Sequence, residues 1–279
     1  MAFNSSGTIS HTIRSVLQQS YPNIEYIIID GGSTDGTVDI VNSYGTSISK
    51  FVSEPDNGMY DAINKGIKLA TGDVIGTLNS DDFFCNNTVV QKIADAFNEE
   101  STDAVLGDVQ FVDTKDNTRI FRYYSSKRFH PGKFKYGFMP AHPGFYVRRN
   151  FFETLGYYKT DYKIAADYEL LIRFLYTHKI RYRYLSMPFV SMKRGGVSNK
   201  SIFSNFLLNK EIARACRENG IKTNYLNIYS KYFFKIFEFL GNNSIKAKSK
   251  DSENTGLAPL QGGWGAKNKG SQANTPKNK

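Results

Sequence analysis

The stretch Asn79-Ser80-Asp81-Asp82 sets two carboxylates side by side at the end of a short apolar run, Val74 to Leu78. Such a run, bounded by turn residues, reads as a buried strand with the acids at its carboxyl end. Desolvated carboxylates need a partner. A divalent cation carrying a phosphorylated ligand is one, because hard cations take carboxylate and phosphate oxygens. Capping of the helix that begins near Thr88 is the structural alternative, and the fragment by itself leaves both open. A second acidic cluster, Asp30 and Asp35, follows the apolar run Ile24 to Ile29. In open parallel sheets ligands bind beyond the carboxyl ends of strands, where an acid can meet a base edge or a ribose. A turn in which Ser33, Thr34 or Asp35 caps the next helix accounts for Asp35 but not for Asp30.

The glycines at 31, 32 and 36 do not fit Gly-x-Gly-x-x-Gly, and no Gly-Lys-Ser/Thr is present, so neither nucleotide fingerprint applies. Asp167 stands at the start of a helical pattern, where the helix dipole alone favours an acid. Glu169, two positions on, is a rival for any role as a base. His142 precedes Pro143 and reads equally as a loop residue. Arg148 and Arg149 could clamp a phosphate, yet on alternating strand positions only one of them can face a site. Tyr60 reads as surface.

The elements that must position these groups alternate. Thr8 to Ser20 reads as a helix with Ile9, Ile13, Val16 and Leu17 on one face. Ile24 to Ile29 is an apolar run of the kind buried on both faces of a parallel sheet. Helices at Val38 to Tyr44, Met59 to Ala70 and Val89 to Phe97 separate strands at Phe51 to Ser53 and Asp73 to Leu78. This order predicts βαβ units, hence a mixed, mostly parallel sheet flanked by helices. In the second half, strands are expected at 104–106, 109–112, 119–124, 142–149, 180–185 and 189–193. Helices are expected at 150–155, 165–177, 201–219 and 224–240. A basic, aromatic loop, Ser125 to Phe138, carries Lys127, Arg128, His130, Lys133 and Lys135.

Of the formal net charge of +10, half lies in residues 242–279, which hold seven lysines and two acids and too little apolar surface to fold. A basic balance points to an anionic partner. No nucleic-acid-reading motif is present, which argues against DNA or RNA. The two cysteines, Cys85 and Cys216, show no metal-ligand spacing and fit a reducing compartment. With no secretory signal and no stretch of roughly 18 apolar residues, a cytoplasmic location is expected.

Four signatures in order carry a resemblance: Ser15-Val16-Leu17-x-Gln19-Ser20-Tyr21; Glu25-Tyr26-Ile27-Ile28-Ile29-Asp30-Gly31-Gly32-Ser33-Thr34-Asp35-Gly36-Thr37; Ser53-Glu54-Pro55-Asp56-x-Gly58-x-Tyr60-Asp61-Ala62-x-Asn64-Lys65-Gly66; and Leu78-Asn79-Ser80-Asp81-Asp82. His142-Pro143-x-Phe145, Ala166-Asp167-Tyr168-Glu169 and Gly195-Gly196-Val197-Ser198 extend it. Over about residues 4–220 the chain resembles family 2 glycosyltransferases of the bacterial polysaccharide, colanic-acid-biosynthesis type, with the GT-A nucleotide-diphospho-sugar transferase fold. The resemblance implies a nucleotide-binding half at about 1–100 and an acceptor half at about 101–220. It implies that Asp30 contacts the nucleoside and that Asp61 and Lys65 lie near the nucleotide. Asp82 would hold Mn²⁺ or Mg²⁺ against the diphosphate, with Asp81 supporting it or contacting the sugar-ribose side. Asp167 would be the general base in an inverting displacement. The implied partners are a nucleotide-diphospho-sugar donor and a glycan or lipid-diphosphate-linked acceptor.

One departure stands out. Relatives open with an apolar strand where this chain has only Met1-Ala2-Phe3, so a truncated N-terminal strand is expected. A catalytically impaired nucleotide-sugar-binding remnant is then the alternative reading. Residues 221–241 are expected to form an aromatic, lysine-bearing helix, either packed on the body of the domain or resting on an anionic leaflet at the inner face of the plasma membrane. Residues 242–279 follow as a disordered basic tail.

Overall fold

The computed structural model describes residues 1–113, 119–193 and 202–230. The expected loop at 194–198, the helix beyond residue 230 and the basic tail lie outside these residues.

Strand β1 (Ile27–Asp30) pairs in parallel with β2 (Lys50–Ser53) through α2 (Thr37–Asn42), and α1 (Ile9–Leu17) precedes them. Helix α1 buries Ile9, Ile13 and Val16, the face its spacing predicts, leaving Leu17 exposed. At the place where the resemblance expects a first strand, Met1–Ala2 make a single parallel bridge. Ala2 N donates to Ile29 O at 2.8 Å and Gly31 N to Ala2 O at 2.9 Å.

The larger sheet has the order β3-β7-β5-β8-β4, with β6 paired to β5. Its strands are β3 (Val74–Gly76), β4 (Phe83–Phe84), β5 (Ala104–Val112), β6 (Ile120–Tyr124), β7 (Phe145–Arg148) and β8 (Tyr182–Lys193). The pairing β5–β8 is parallel and the others are antiparallel, giving a mixed α/β fold. The two strands expected at 180–185 and 189–193 are one. Pro188, which cannot donate to a ladder, sits opposite Asp108, where the register with β5 shifts and the strand continues past it. The strand expected from His142 begins only at Phe145, because His142–Gly144 forms a 3₁₀ turn. Within the basic loop, Pro131–Tyr136 is a second 3₁₀ segment.

Helix α3 (Met59–Leu69) buries Ile63 and Ile67 but leaves Met59 exposed, α4 (Val89–Phe97) buries Val89, Ile93 and Phe97, and α5 (Asn150–Leu155), α6 (Ala166–Ile172) and α7 (Ile202–Glu218) complete the set. Tyr60, Ile63 and Ile67 of α3 join β5, β7 and α6 in one core, so α3 shares its buried face with the helix that carries Asp167. The close contact that sets the end of β3 is Gly76 on Tyr146. A β-carbon there would lie 2.0 Å from a ring carbon of Tyr146, and that ring is packed edge-on to Phe189. Gly76→Ala must therefore displace a buried aromatic, an overpacking cost of about 1–3 kcal/mol. A lowered urea midpoint with an unchanged slope is the expected result.

Candidate active site

The chain leaves β3 at Gly76 and turns sharply, with Asp82 N bonded to Asn79 O at 3.2 Å. Helix α1 pins this turn. Thr12 Oγ1 donates to Ser80 O or to Asp82 O, at 2.9 and 2.7 Å, and Ser5 Oγ lies 2.7 Å from Ser80 Oγ. The Asp82 residue is 2% exposed, and Asn79 Nδ2 donates to its Oδ2 at 3.0 Å. Burial first, and Asp81 second, push its carboxyl up to about 7. Thr88 has no side-chain cap from these acids, so the capping alternative is not what holds them. A buried carboxyl with one amide donor and a neighbouring acid is short of positive charge, and a divalent cation fits that deficit. Among the described residues no three His, Cys, Asp or Glu side chains cluster to form a cage. Two carboxylates suit an ion that takes its remaining ligands from phosphate oxygens and water.

Asp30 points inward. It is fully buried, and its oxygens accept from Gly32 N at 3.1 Å, Ser33 N at 2.9 Å, Ser33 Oγ at 2.5 Å and Ser53 Oγ at 2.8 Å. Its carboxylate shapes the loop beyond β1 instead of projecting from it. Asp35 does what a turn acid does. It accepts from Thr37 Oγ1 and N and from Ser6 N, and the Thr37 hydroxyl chiefly holds it well below the usual carboxylate range.

Asp61 and Lys65, on one face of α3, grip the loop 54–58. Lys65 Nζ lies 2.8 Å from Glu54 and 3.7 Å from Asp61, and it donates to Pro55 O at 3.2 Å. Asp61 in turn accepts from Asn57 N at 3.0 Å. They stand beside the loop beyond β2 and do not line the cleft that holds Asp167.

That cleft is lined by Tyr60, Thr77, Asn79, His142, Tyr158 and Asp167, among others. It joins the turn after β3 to the first turn of α6. Asp167 Oδ2 lies 3.2 Å from His142 Nδ1, and Tyr168 N donates to Oδ1 at 2.8 Å. Burial raises the Asp167 carboxyl above its ordinary value, His142 opposes that, and Glu211 adds to it. Glu169 is excluded as a base by its surroundings. It is buried against Arg173 at 2.8 Å and Lys159 at 3.1 Å. Burial alone would raise its carboxyl, and those cations carry it below the ordinary value. The arginines expected as phosphate clamps are committed elsewhere. Arg148 donates to Thr102 O and Phe97 O, and Arg149 to Gly72 O and Glu153.

Three residues that sequence reasoning missed hold the backbone before Asp167 and at Tyr158, on either side of the cleft. Glu211 of α7 accepts from three successive backbone N–H groups, Lys163, Ile164 and Ala165, at 2.8, 2.9 and 2.9 Å. Tyr60, read as surface, is buried, and its hydroxyl donates to Ile164 O at 2.5 Å. Asn64 exchanges two bonds with the Tyr158 backbone, at 2.8 and 3.0 Å. Tyr60 and Asn64 lie inside a matching signature, which was a usable signal. Glu211 lies in none.

The family described as Glycosyl transferase family 2 matches residues 1–156. The chain belongs to this family. A PGL/p-HBAD biosynthesis glycosyltransferase of Mycobacterium tuberculosis is 30% identical over 209 residues, covering 73% of this chain and 79% of its own. A second M. tuberculosis protein, an uncharacterised glycosyltransferase, is 32% identical over 177 residues, covering 62% of this chain and 66% of its own. Among solved structures, S. aureus TarS 1–349 in complex with UDP-GlcNAc superposes with a TM-score of 0.59 at 22% identity, over 77% of this chain and 64% of that one. The chain spans 38% of the longer TarS chain. The mannosyltransferase PcManGT from Pyrobaculum calidifontis, in complex with GDP-Man and Mn²⁺, gives 0.56 at 14% identity over 92% of this chain and 74% of that one. At these identities the structures show the shared GT-A fold. The chain is thus a family 2 glycosyltransferase with a GT-A fold.

Proposed function

We propose that the protein is an inverting, metal-dependent transferase moving a sugar from a nucleotide-diphosphate donor to a glycan or lipid-linked acceptor in cell-surface polysaccharide biosynthesis. The observation that carries this reading is the cleft between Asn79, whose amide bonds the buried Asp82 carboxyl behind it, and the His142-paired carboxylate of Asp167. Relatives and neighbours with nucleotide-sugar ligands support the donor class.

Asp82, with Asp81, would hold Mn²⁺ or Mg²⁺, which when bound offsets the charge that develops on a departing nucleoside diphosphate. The other steps belong to the chain's own groups. Asp167 takes the proton of the acceptor hydroxyl as its oxygen attacks the anomeric carbon. Its raised pKa makes it a stronger base than an exposed acid. His142, 3.2 Å away, holds Asp167 Oδ2 and stabilises its ionised form. A single displacement by that oxygen inverts the anomeric configuration. Asp30 supports the nucleoside side by ordering residues 31–33. Asp61 and Lys65 do so by ordering the loop 54–58.

The test is transfer and donor hydrolysis over a panel of nucleotide sugars, with Mn²⁺, with Mg²⁺ and with chelator. Turnover is expected only with metal, and Asp82→Ala is expected to abolish the metal response. The alternative, a binder without turnover, draws on the small β1–β2 sheet, which among the described residues is extended beyond its two strands only by the Ala2 bridge. Saturable nucleotide-sugar binding with no turnover under any metal would select it. A lipid-linked acceptor would bring the enzyme to a membrane surface. Among the described residues no helix is long and apolar enough to cross one.

A further inference from the structure

Two elements outside the cleft form a surface that the reaction does not use. The 3₁₀ segment Pro131–Tyr136 and the helical residues 225–230 are tied by Thr223 Oγ1, which donates to Lys135 O at 2.5 Å. Beneath them Phe134 and Ile228, both fully buried, share the main core. Above them the outward residues are not the polar ones a solvated surface would carry. Leu226 is 83% exposed, Tyr225 52% and Tyr229 40%, with the two tyrosine rings 6.5 Å apart. Lys135 and Lys222 are exposed beside them, and the Lys135 ammonium sits over the Tyr136 ring at 4.7 Å. Residues 125–138 and 222–230 together hold Lys127, Arg128, Lys133, Lys135 and Lys222, and no Asp or Glu.

We infer that this surface docks on an anionic phospholipid bilayer. Exposed leucine and tyrosine beside Lys135 and Lys222, on two segments that hold five cations and no acid, is the chemistry of an interfacial anchor, in which apolar groups enter the headgroup boundary and cations meet lipid phosphates. The same charge disfavours pairing with a second copy of this basic chain, since like faces repel. The surface also connects to the cleft through the chain. Tyr168, the residue after Asp167, donates its hydroxyl to Phe134 O, and residues 137–141 run from the 3₁₀ segment to His142. Docking there would present Asp167 and His142 to a hydroxyl held at the bilayer. For its purpose, though not for its physical basis, the inference rests on the lipid-linked acceptor proposed above.

The test is co-sedimentation of the full chain with phosphatidylcholine vesicles, with and without phosphatidylglycerol. Binding is expected only with the anionic lipid. The double variant Tyr225→Ser/Leu226→Ser should weaken it roughly tenfold. The double variant Lys135→Ala/Lys222→Ala should weaken it by about fivefold per lysine. All four side chains are exposed, so unchanged melting curves are expected to verify folding. Anionic-vesicle binding unaltered in both variants would overturn the inference, since the affinity would then belong to other cations such as the lysines of 242–279. Equal binding to neutral vesicles would overturn it too. Donor hydrolysis in solution, measured on the same preparations, keeps the two readings apart. Vesicle binding without hydrolysis counts against the catalytic proposal alone, and hydrolysis without vesicle binding counts against this surface alone.

Discussion

Asp167→Asn should lower kcat/KM for sugar transfer by about 10³-fold while leaving donor affinity nearly unchanged. The amide keeps the size of the side chain and can still face His142, so geometry changes little. What disappears is the proposed acceptor of the attacking hydroxyl's proton, a role exerted in the transition state more than in binding. The pH profile sharpens the test. A base works ionised, and burial raises the Asp167 pKa, so activity should rise with pH through a limb placed above the ordinary carboxylate range. His142 lowers that pKa and Glu211 raises it. His142→Gln should therefore move the acid limb to higher pH, and Glu211→Gln should move it lower. Glu211→Gln also costs stability, because its carboxylate holds three backbone N–H groups. The shift of the limb, measured as a pH–rate profile, separates its charge from its structural part. An Asp167→Asn variant with wild-type kcat would remove Asp167 from the role of base.

The acids at strand ends were legible in the sequence because position follows from chain order. An apolar run that stops at Asp30 or at Asn79-Ser80-Asp81-Asp82 puts carboxylates at the rim of a sheet. Orientation was not legible. Asp30 turns inward because Ser33 meets it locally and Ser53, 23 residues along the chain, brings its hydroxyl only once β1 and β2 pair. The supports of Asp167 were hidden for a similar reason. Tyr60 meets Ile164 O and Glu211 meets the N–H groups of 163–165, and a backbone group has no residue-type signature to search for. The same limit applied to β8. Phe189 to Lys193 reads as a separate strand because Pro188 normally ends one, and only the shift at Asp108 shows how the ladder passes it.

Arg173→Ala is expected to be the most destabilising single change, by about 3–5 kcal/mol. The guanidinium donates to Leu155 O at 2.6 Å, Gly156 O at 2.7 Å and Tyr157 O at 2.8 Å, and to both oxygens of Glu169. Its removal strands three carbonyls and leaves a buried carboxylate with only Lys159 and the Asn219 amide. At roughly 2–4 °C per kcal/mol for a domain of this size, the melting temperature should fall by about 6–20 °C. Activity should fall as well, because residues 155–157 lead straight into Tyr158, which lines the cleft. The sign with pH follows from Glu169. Its folded pKa is depressed, so the pair contributes stability that is present above about 4.5 and is lost as pH falls through the lower folded value. In Arg173→Ala the burial that raises the Glu169 carboxyl is less opposed, so protonation relieves the variant while it weakens the wild type. Urea melts should therefore show the full difference at neutral pH and a smaller one well below pH 4.5. A gap that stays constant across that range would mean that the carbonyl bonds, and not the ion pair, carry the stability of this corner.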